Sequence, residues 1–83
     1  SLYVGDVVAY DAEKGLADVE ARNKFAVGDR LQVIHPTGNQ DIVVENLFNK
    51  KGEPIQEASG SGYYVKLPIV AGDLSNAMVV KYL

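Results

Sequence analysis

The sequence predicts an all-β fold, a small closed or partly open β-barrel of about six to seven short antiparallel strands. Two observations lead there. Turn signals recur at 11–15, 27–29, 36–39, 49–53, 59–62 and 71–73, close to the spacing of roughly 8–12 residues typical of short-stranded sandwiches and barrels. The stretches between them are rich in Val, Ile, Leu and Tyr, which suit a pleated, half-buried surface. Length agrees: 83 residues make a single domain spanning the whole chain. A chain this short buries only roughly 60–65% of its unfolded surface, so nearly every large apolar side chain is needed in the core.

Each element has its own signal. Residues 3–10 read Tyr-Val-Gly-Asp-Val-Val-Ala-Tyr, and Gly5 inside this strand marks a bulge or a close backbone approach. Leu16, Asp18, Glu20 and Arg22 alternate with Ala17, Val19 and Ala21, a half-buried strand whose small residues suit a tight interior. In residues 30–35, Leu31, Val33 and His35 share one face, with Arg30, Gln32 and Ile34 on the other. The stretch 40–47 fits a helical turn or a strand, and Val43-Val44 favours a strand at 42–45. Ser59-Gly60-Ser61-Gly62 fits a hairpin loop better than a domain boundary. A strand over 63–67 follows, closed by Pro68, which lacks a ladder donor. In the tail, Leu74, Ala77, Met78 and Lys81 have helical spacing with Asp73 or Ser75 as a cap, whereas Val79, Val80 and Tyr82 prefer a strand. A closing strand removes a barrel edge, so the expectation is a short turn near Ser75 followed by a strand.

Composition excludes several functions. With 47% apolar and 23% charged residues this is ordinary globular material, and no apolar run reaches the ~18 residues of a membrane-spanning helix. There is no cysteine, hence no disulfide, no thiolate nucleophile and no cysteine-ligated cluster or zinc. A serine triad needs a histidine between a carboxylate and a hydroxyl. The one candidate is His35, which precedes Pro36 at a turn, and no nucleophile elbow occurs. Asp41 with Glu45 is a poor metal pair, and Asp18 with Glu20 lies on a solvated strand face. No phosphate-binding glycine loop is present. The sequence therefore offers no catalytic, cofactor-binding or metal-ligating residue.

Surface cations are where function can reside. Arg22, Lys24 and Arg30 flank the loop around Phe25, and Lys50 and Lys51 crown another turn. A basic loop with an exposed aromatic contacts phosphates and stacks on a base. The alternative is that Phe25 plugs the core while the cations solubilise turns, which the net charge of −3 favours. In Tyr63-Tyr64, alternation is expected to bury one ring and expose the other, which makes Tyr64 a candidate contact. The chain begins at Ser1 with a strand pattern starting at once and no secretory leader, as expected of a domain excised from a longer protein.

The run Val19-Glu20-Ala21-Arg22-Asn23-Lys24-Phe25-Ala26-Val27-Gly28-Asp29 resembles the signature of the C-terminal domain of peptidase family U32, the collagenase-like peptidases. Tyr3-Val4-Gly5 at the start, Lys51-Gly52-Glu53-Pro54 and Leu67-Pro68 agree in order and spacing, so the resemblance covers nearly the whole chain. It is greatest to the branch that carries out prephenate-dependent tRNA uridine hydroxylation. The tail departs from the pattern, since residues 74–80 lack the usual aromatic. The resemblance implies a barrel similar to the second domain of translation elongation factors, appended to an N-terminal catalytic domain that resembles a TIM barrel. It implies an iron–sulfur cluster in that other domain and none in this one. Asn23, Phe25, Gly28 and Asp29 are then structural: Gly28 frees the turn, Asp29 binds backbone amides within it and Phe25 anchors the loop.

The expected function is a non-catalytic accessory barrel of a cytoplasmic protein carrying the hydrolase label of the U32 peptidases. It would position substrate or pack on the N-terminal catalytic domain, with no membrane partner. The alternative is a tRNA-binding module using Arg22, Lys24, Arg30, Lys50, Lys51 and Tyr64. A standalone peptidase comes last.

Overall fold

Among the described residues the chain forms nine strands and no helix. The computed structural model describes residues 1–70 and 74–83, so the turn expected at 71–73 and the cap at Asp73 lie outside the described residues. The strands are β1 (Leu2–Asp11), β2 (Leu16–Ala21), β3 (Phe25–Ala26), β4 (Arg30–His35), β5 (Gly38–Val43), β6 (Phe48–Asn49), β7 (Glu57–Ala58), β8 (Tyr63–Pro68) and β9 (Met78–Lys81). Seven form one antiparallel sheet in the order β5-β4-β9-β1-β2-β8-β6, while β3 and β7 make a separate two-stranded ribbon. The end strands β5 and β6 do not pair with each other, so the barrel is partly open.

The inward residues are those that alternation selects. Ala17, Val19 and Ala21 of β2, Leu31 and Val33 of β4, and Val65 and Leu67 of β8 are all buried. Phe25 is fully buried from the ribbon, a placement that stabilises the fold by about 1.5–3 kcal/mol relative to leaving the ring in water. The ribbon is fastened by backbone bonds at its ends. Val27 N donates to Gln56 O at 2.9 Å, Gly28 N to Val44 O at 2.8 Å, and Val44 N to Asp29 O at 2.9 Å.

β1 lies between β2 and β9, and its register slips against β9 between Tyr3 and Gly5. A Cβ on Gly5 would stand 2.5 Å from the carbonyl oxygen of Glu20. No side chain fits such an approach, and the glycine therefore sets how closely β1 and β2 meet. A second slip, between Val7 and Ala9, leaves Val8 on the outer surface.

Three expectations need correction. The turn after β4 is tighter than 36–39: His35 pairs with Gly38, leaving Pro36-Thr37 as the two-residue link. The following strand is accordingly Gly38–Val43 rather than 42–45, and Val44 leaves the sheet because its N–H is taken by Asp29. Segment 59–62 is not a hairpin loop, because β7 pairs with β3 and not with β8. It links ribbon to sheet and is held to the end of β2 by Ser61 N to Arg22 O (3.2 Å) and Gly62 N to Ala21 O (2.7 Å). The tail forms a turn at 75–76 and then β9, which pairs with both β1 and β4.

Candidate nucleic-acid interface

The outer face of β2 and β8 carries a groove. Register places Asp18 opposite Lys66 and Glu20 opposite Tyr64, and the bulge in β1 adds Val8. Val8, Asp18, Tyr64 and Lys66, with Lys50, line a depression of about 450 Å³. It continues into a space of about 290 Å³ beside Lys14, Lys51 and Gly52, and one of about 390 Å³ beside Asn49, Glu53 and Tyr63.

Local turns position its lysines. At the β6 end, Asn49 Oδ1 accepts from the backbone N–H groups of Lys51 and Glu53, each at 2.9 Å. Asn49 Nδ2 also donates to Glu53 Oε1 at 2.8 Å. This side-chain-to-backbone turn fixes the tip from which Lys50 and Lys51 project. Between β1 and β2, Asp11 Oδ1 accepts from Glu13 N (3.0 Å) and Lys14 N (3.2 Å), which sets Lys14 at the rim. Lys66 Nζ bridges Asp18 at 2.8 Å. Among the described residues, Lys14, Lys50 and Lys51 make no salt bridge; Lys50 Nζ lies 5.8 Å from the centroid of the Tyr64 ring.

The six candidate contacts therefore do not act as one patch. Lys50, Lys51 and Tyr64 belong to the groove. Arg22 is engaged by Glu20 at 3.2 Å and Asp6 at 3.8 Å, and Lys24 by Glu57 at 3.3 Å. The Arg30 guanidinium lies over the Tyr82 ring at 5.0 Å. None of these three lines the groove. The loop around Phe25 presents no exposed aromatic, because that ring is in the core. Neither ring of the Tyr63-Tyr64 pair is buried, contrary to the alternation argument, with 40% and 44% exposure. Tyr63 opens β8 ahead of its first buried residue, Val65, so its inward parity reaches no core. Lys14, Lys66 and Val8 escaped the sequence reading, and Asp18 entered it only as half of a solvated carboxylate pair. Lys66, two residues after Tyr64 on a strand, was the one with a usable signal.

The motif residues hold the β2–β4 connection. Asn23 Nδ2 donates to Tyr3 O at 2.7 Å. Gly28 has φ +97°, a conformation L side chains rarely adopt. Asp29 Oδ2 accepts from Ala26 N at 2.8 Å and faces Lys81 Nζ at 3.6 Å. Elsewhere, His35 Nδ1 accepts from Thr37 N at 3.2 Å and meets Thr37 Oγ1 at 2.8 Å, a turn contact without a carboxylate. Asp41 accepts from the Tyr82 hydroxyl at 2.7 Å, and that bond raises the Tyr82 pKa above its ordinary value. The described residues hold no group of three or more His, Cys, Asp or Glu placed to share a metal ion. An iron–sulfur cluster is held by cysteine thiolates, and the sequence has none, so these residues do not fit that group.

Fold and surface thus define a small partly open β-barrel domain with a lysine–tyrosine groove on its outer face. Residues 1–80 match the Peptidase family U32 C-terminal domain, and the chain belongs to that family. Two curated relatives, both called tRNA hydroxylation protein P, are 40% (Escherichia coli) and 34% (Haemophilus influenzae) identical over 67 residues, or 81% of this chain. The match spans about 15% of either relative's length. Among solved structures, the C-terminal domain of a Geobacillus thermoleovorans protein described as a U32 peptidase superposes with a TM-score of 0.90 at 28% identity. That likeness covers 99% of this chain and 93% of the other. A selenomethionine form of the same domain gives 0.89 at 28% identity, covering 95% and 98%.

Proposed function

We propose that this chain is a non-catalytic accessory barrel that helps a U32-type protein hold an RNA substrate, tRNA in the case of the relatives named above. One observation carries the reading: Lys50, Lys51 and Lys66 line depressions shared with the exposed Tyr64 ring, and Lys14 lines the adjoining one, in a chain of net charge −3. Lysine–phosphate contacts give sequence-independent affinity and fix orientation, which is what a positioning domain has to supply. In this reading the chemistry, and any iron–sulfur cluster, belongs to an N-terminal catalytic domain. The whole protein then works on tRNA in the cytoplasm.

A packing surface for that catalytic domain is the second reading, favoured by outward Val43 and Met78 at 55% and 40% exposure. They sit on different strands, β5 and β9, with β4 between them, and scattered apolar residues of this kind are normal on monomers. The groove is the more specific feature.

Titration of the 83-residue chain with labelled tRNA at several salt concentrations tests the proposal. Reversing Lys50 and Lys51 to Glu should weaken binding and reduce the slope of log K against log salt by about 0.7–0.9 per lost phosphate contact. Lys24→Glu, whose native ammonium already faces Glu57, should leave that slope nearly unchanged. Equal affinity and slope for the Lys50/Lys51 variant and the parent would overturn the RNA reading in favour of packing.

A further inference from the structure

Exposed aromatic rings beside lysines differ from a plain basic patch, and the difference bears on which part of an RNA is held. Tyr64 points outward from β8 with 44% of its surface exposed, and Tyr63 next to it is 40% exposed. Rings so placed offer nothing to a duplex, whose base faces are stacked on one another. A-form RNA is met through phosphates and 2′-hydroxyls instead. An aromatic face flanked by cations suits an unpaired nucleotide, whose base is free to stack while its phosphates meet the cations.

We infer that the Tyr64 groove binds unpaired RNA, with one nucleobase stacked on the Tyr64 ring and the adjoining phosphates on Lys51 and Lys14. This rests on the RNA reading above. Tyr64 and Lys66 are two residues apart on one strand face, a separation of about 6.6 Å at a rise of ~3.3 Å per residue. A base on the ring therefore keeps its sugar-phosphate beside Lys50 and Lys66 of the same depression, and Lys14 and Lys51 line the adjoining space that shares those two lysines. Lys50 now covers the ring at 5.8 Å. It is solvent-exposed on a four-carbon stem, so an incoming base displaces it and the freed ammonium turns to phosphate. Val8 supplies an apolar wall on the β1 side. The Lys66–Asp18 bridge at 2.8 Å keeps Lys66 on the floor of the groove, where its stem lies along the base edge.

The test compares a labelled unstructured 12-nucleotide RNA with a 12-base-pair RNA duplex, using the 83-residue chain, Tyr64→Ala, Tyr64→Phe and the Lys50/Lys51→Glu variant. Tyr64 is exposed, so Tyr64→Ala should keep the parent's melting temperature. The single strand should bind the parent more tightly than the duplex. Tyr64→Ala should lose about tenfold in single-strand affinity with an unchanged salt slope, and Tyr64→Phe should retain it. The chain has five Tyr and no Trp, so a stacked base should also quench tyrosine emission, and Tyr64→Phe should remove part of that quenching. Equal binding of both RNAs, or no loss in Tyr64→Ala, overturns the stacking inference while the RNA reading stands on the lysine variant. Absence of binding to either RNA overturns the reading beneath it as well.

Discussion

Gly5 and Gly28 are both glycine for backbone reasons, but the reasons differ and so do the expected costs of replacing them. At Gly5 a methyl group would stand 2.5 Å from the Glu20 carbonyl and 3.0 Å from Val19 Cγ1, so β1 and β2 must move apart. At Gly28 an added methyl meets nothing within 4 Å, and only the positive φ is strained. Gly5→Ala should therefore destabilise by about 1–3 kcal/mol, as overpacking does. Gly28→Ala should lose about 1 kcal/mol or somewhat more. Midpoints of urea unfolding at constant m-value give the order, and a larger loss at Gly28 would contradict this account. The sequence marks both residues as glycine; the distance to Glu20 separates a packing limit from a torsional one.

At the scale of elements, the ribbon of β3 and β7 is two residues on each side, too little to stand by itself. What keeps it in place is Phe25, fully buried and paired with the equally buried Ala58. Phe25→Ala should lower stability by about 3–5 kcal/mol, read from the shift in the denaturant midpoint. Two tyrosines tie strand ends to neighbouring carboxylates and give the fold a limit in alkali. The Tyr3 hydroxyl donates to Asp6 and the Tyr82 hydroxyl to Asp41, and each bond raises its phenol pKa above 10.0. The folded chain holds these protons more tightly than the unfolded chain does. Their contribution is therefore complete below pH 10 and disappears as pH rises through the raised values. Melting temperature should fall above about pH 10 for this reason, and less steeply in a Tyr3→Phe, Tyr82→Phe double variant.

For the whole molecule, the arrangement of charge matters more than its sum. Arg22, Lys24, Lys66 and Lys81 each face a carboxylate within 4 Å, and these exposed or half-exposed pairs add little stability. Among the described residues, Lys14, Lys50 and Lys51 have no carboxylate partner within 4 Å and border one groove, so the binding affinity of this chain should respond to salt far more than its melting temperature does.

Period-two alternation placed Ala17, Val19, Ala21, Leu31, Val33, Val65 and Leu67 inside, because side-chain direction along a strand is a local property. The run 19–29 likewise carried the family. Burial of Phe25 rather than its exposure, the separation of Arg22, Lys24 and Arg30 from Lys50 and Lys51, and the joining of Lys14 and Lys66 to the groove were decided by strand pairing. Lys66 meets Asp18 across 48 positions of sequence, and Tyr64 lies opposite Glu20 for the same reason. The sequence alone determined an all-β chain of this family with no cysteine chemistry, since those properties depend on residue type and short-range spacing. The functional surface depended on which distant strands became neighbours, which only the tertiary structure decided.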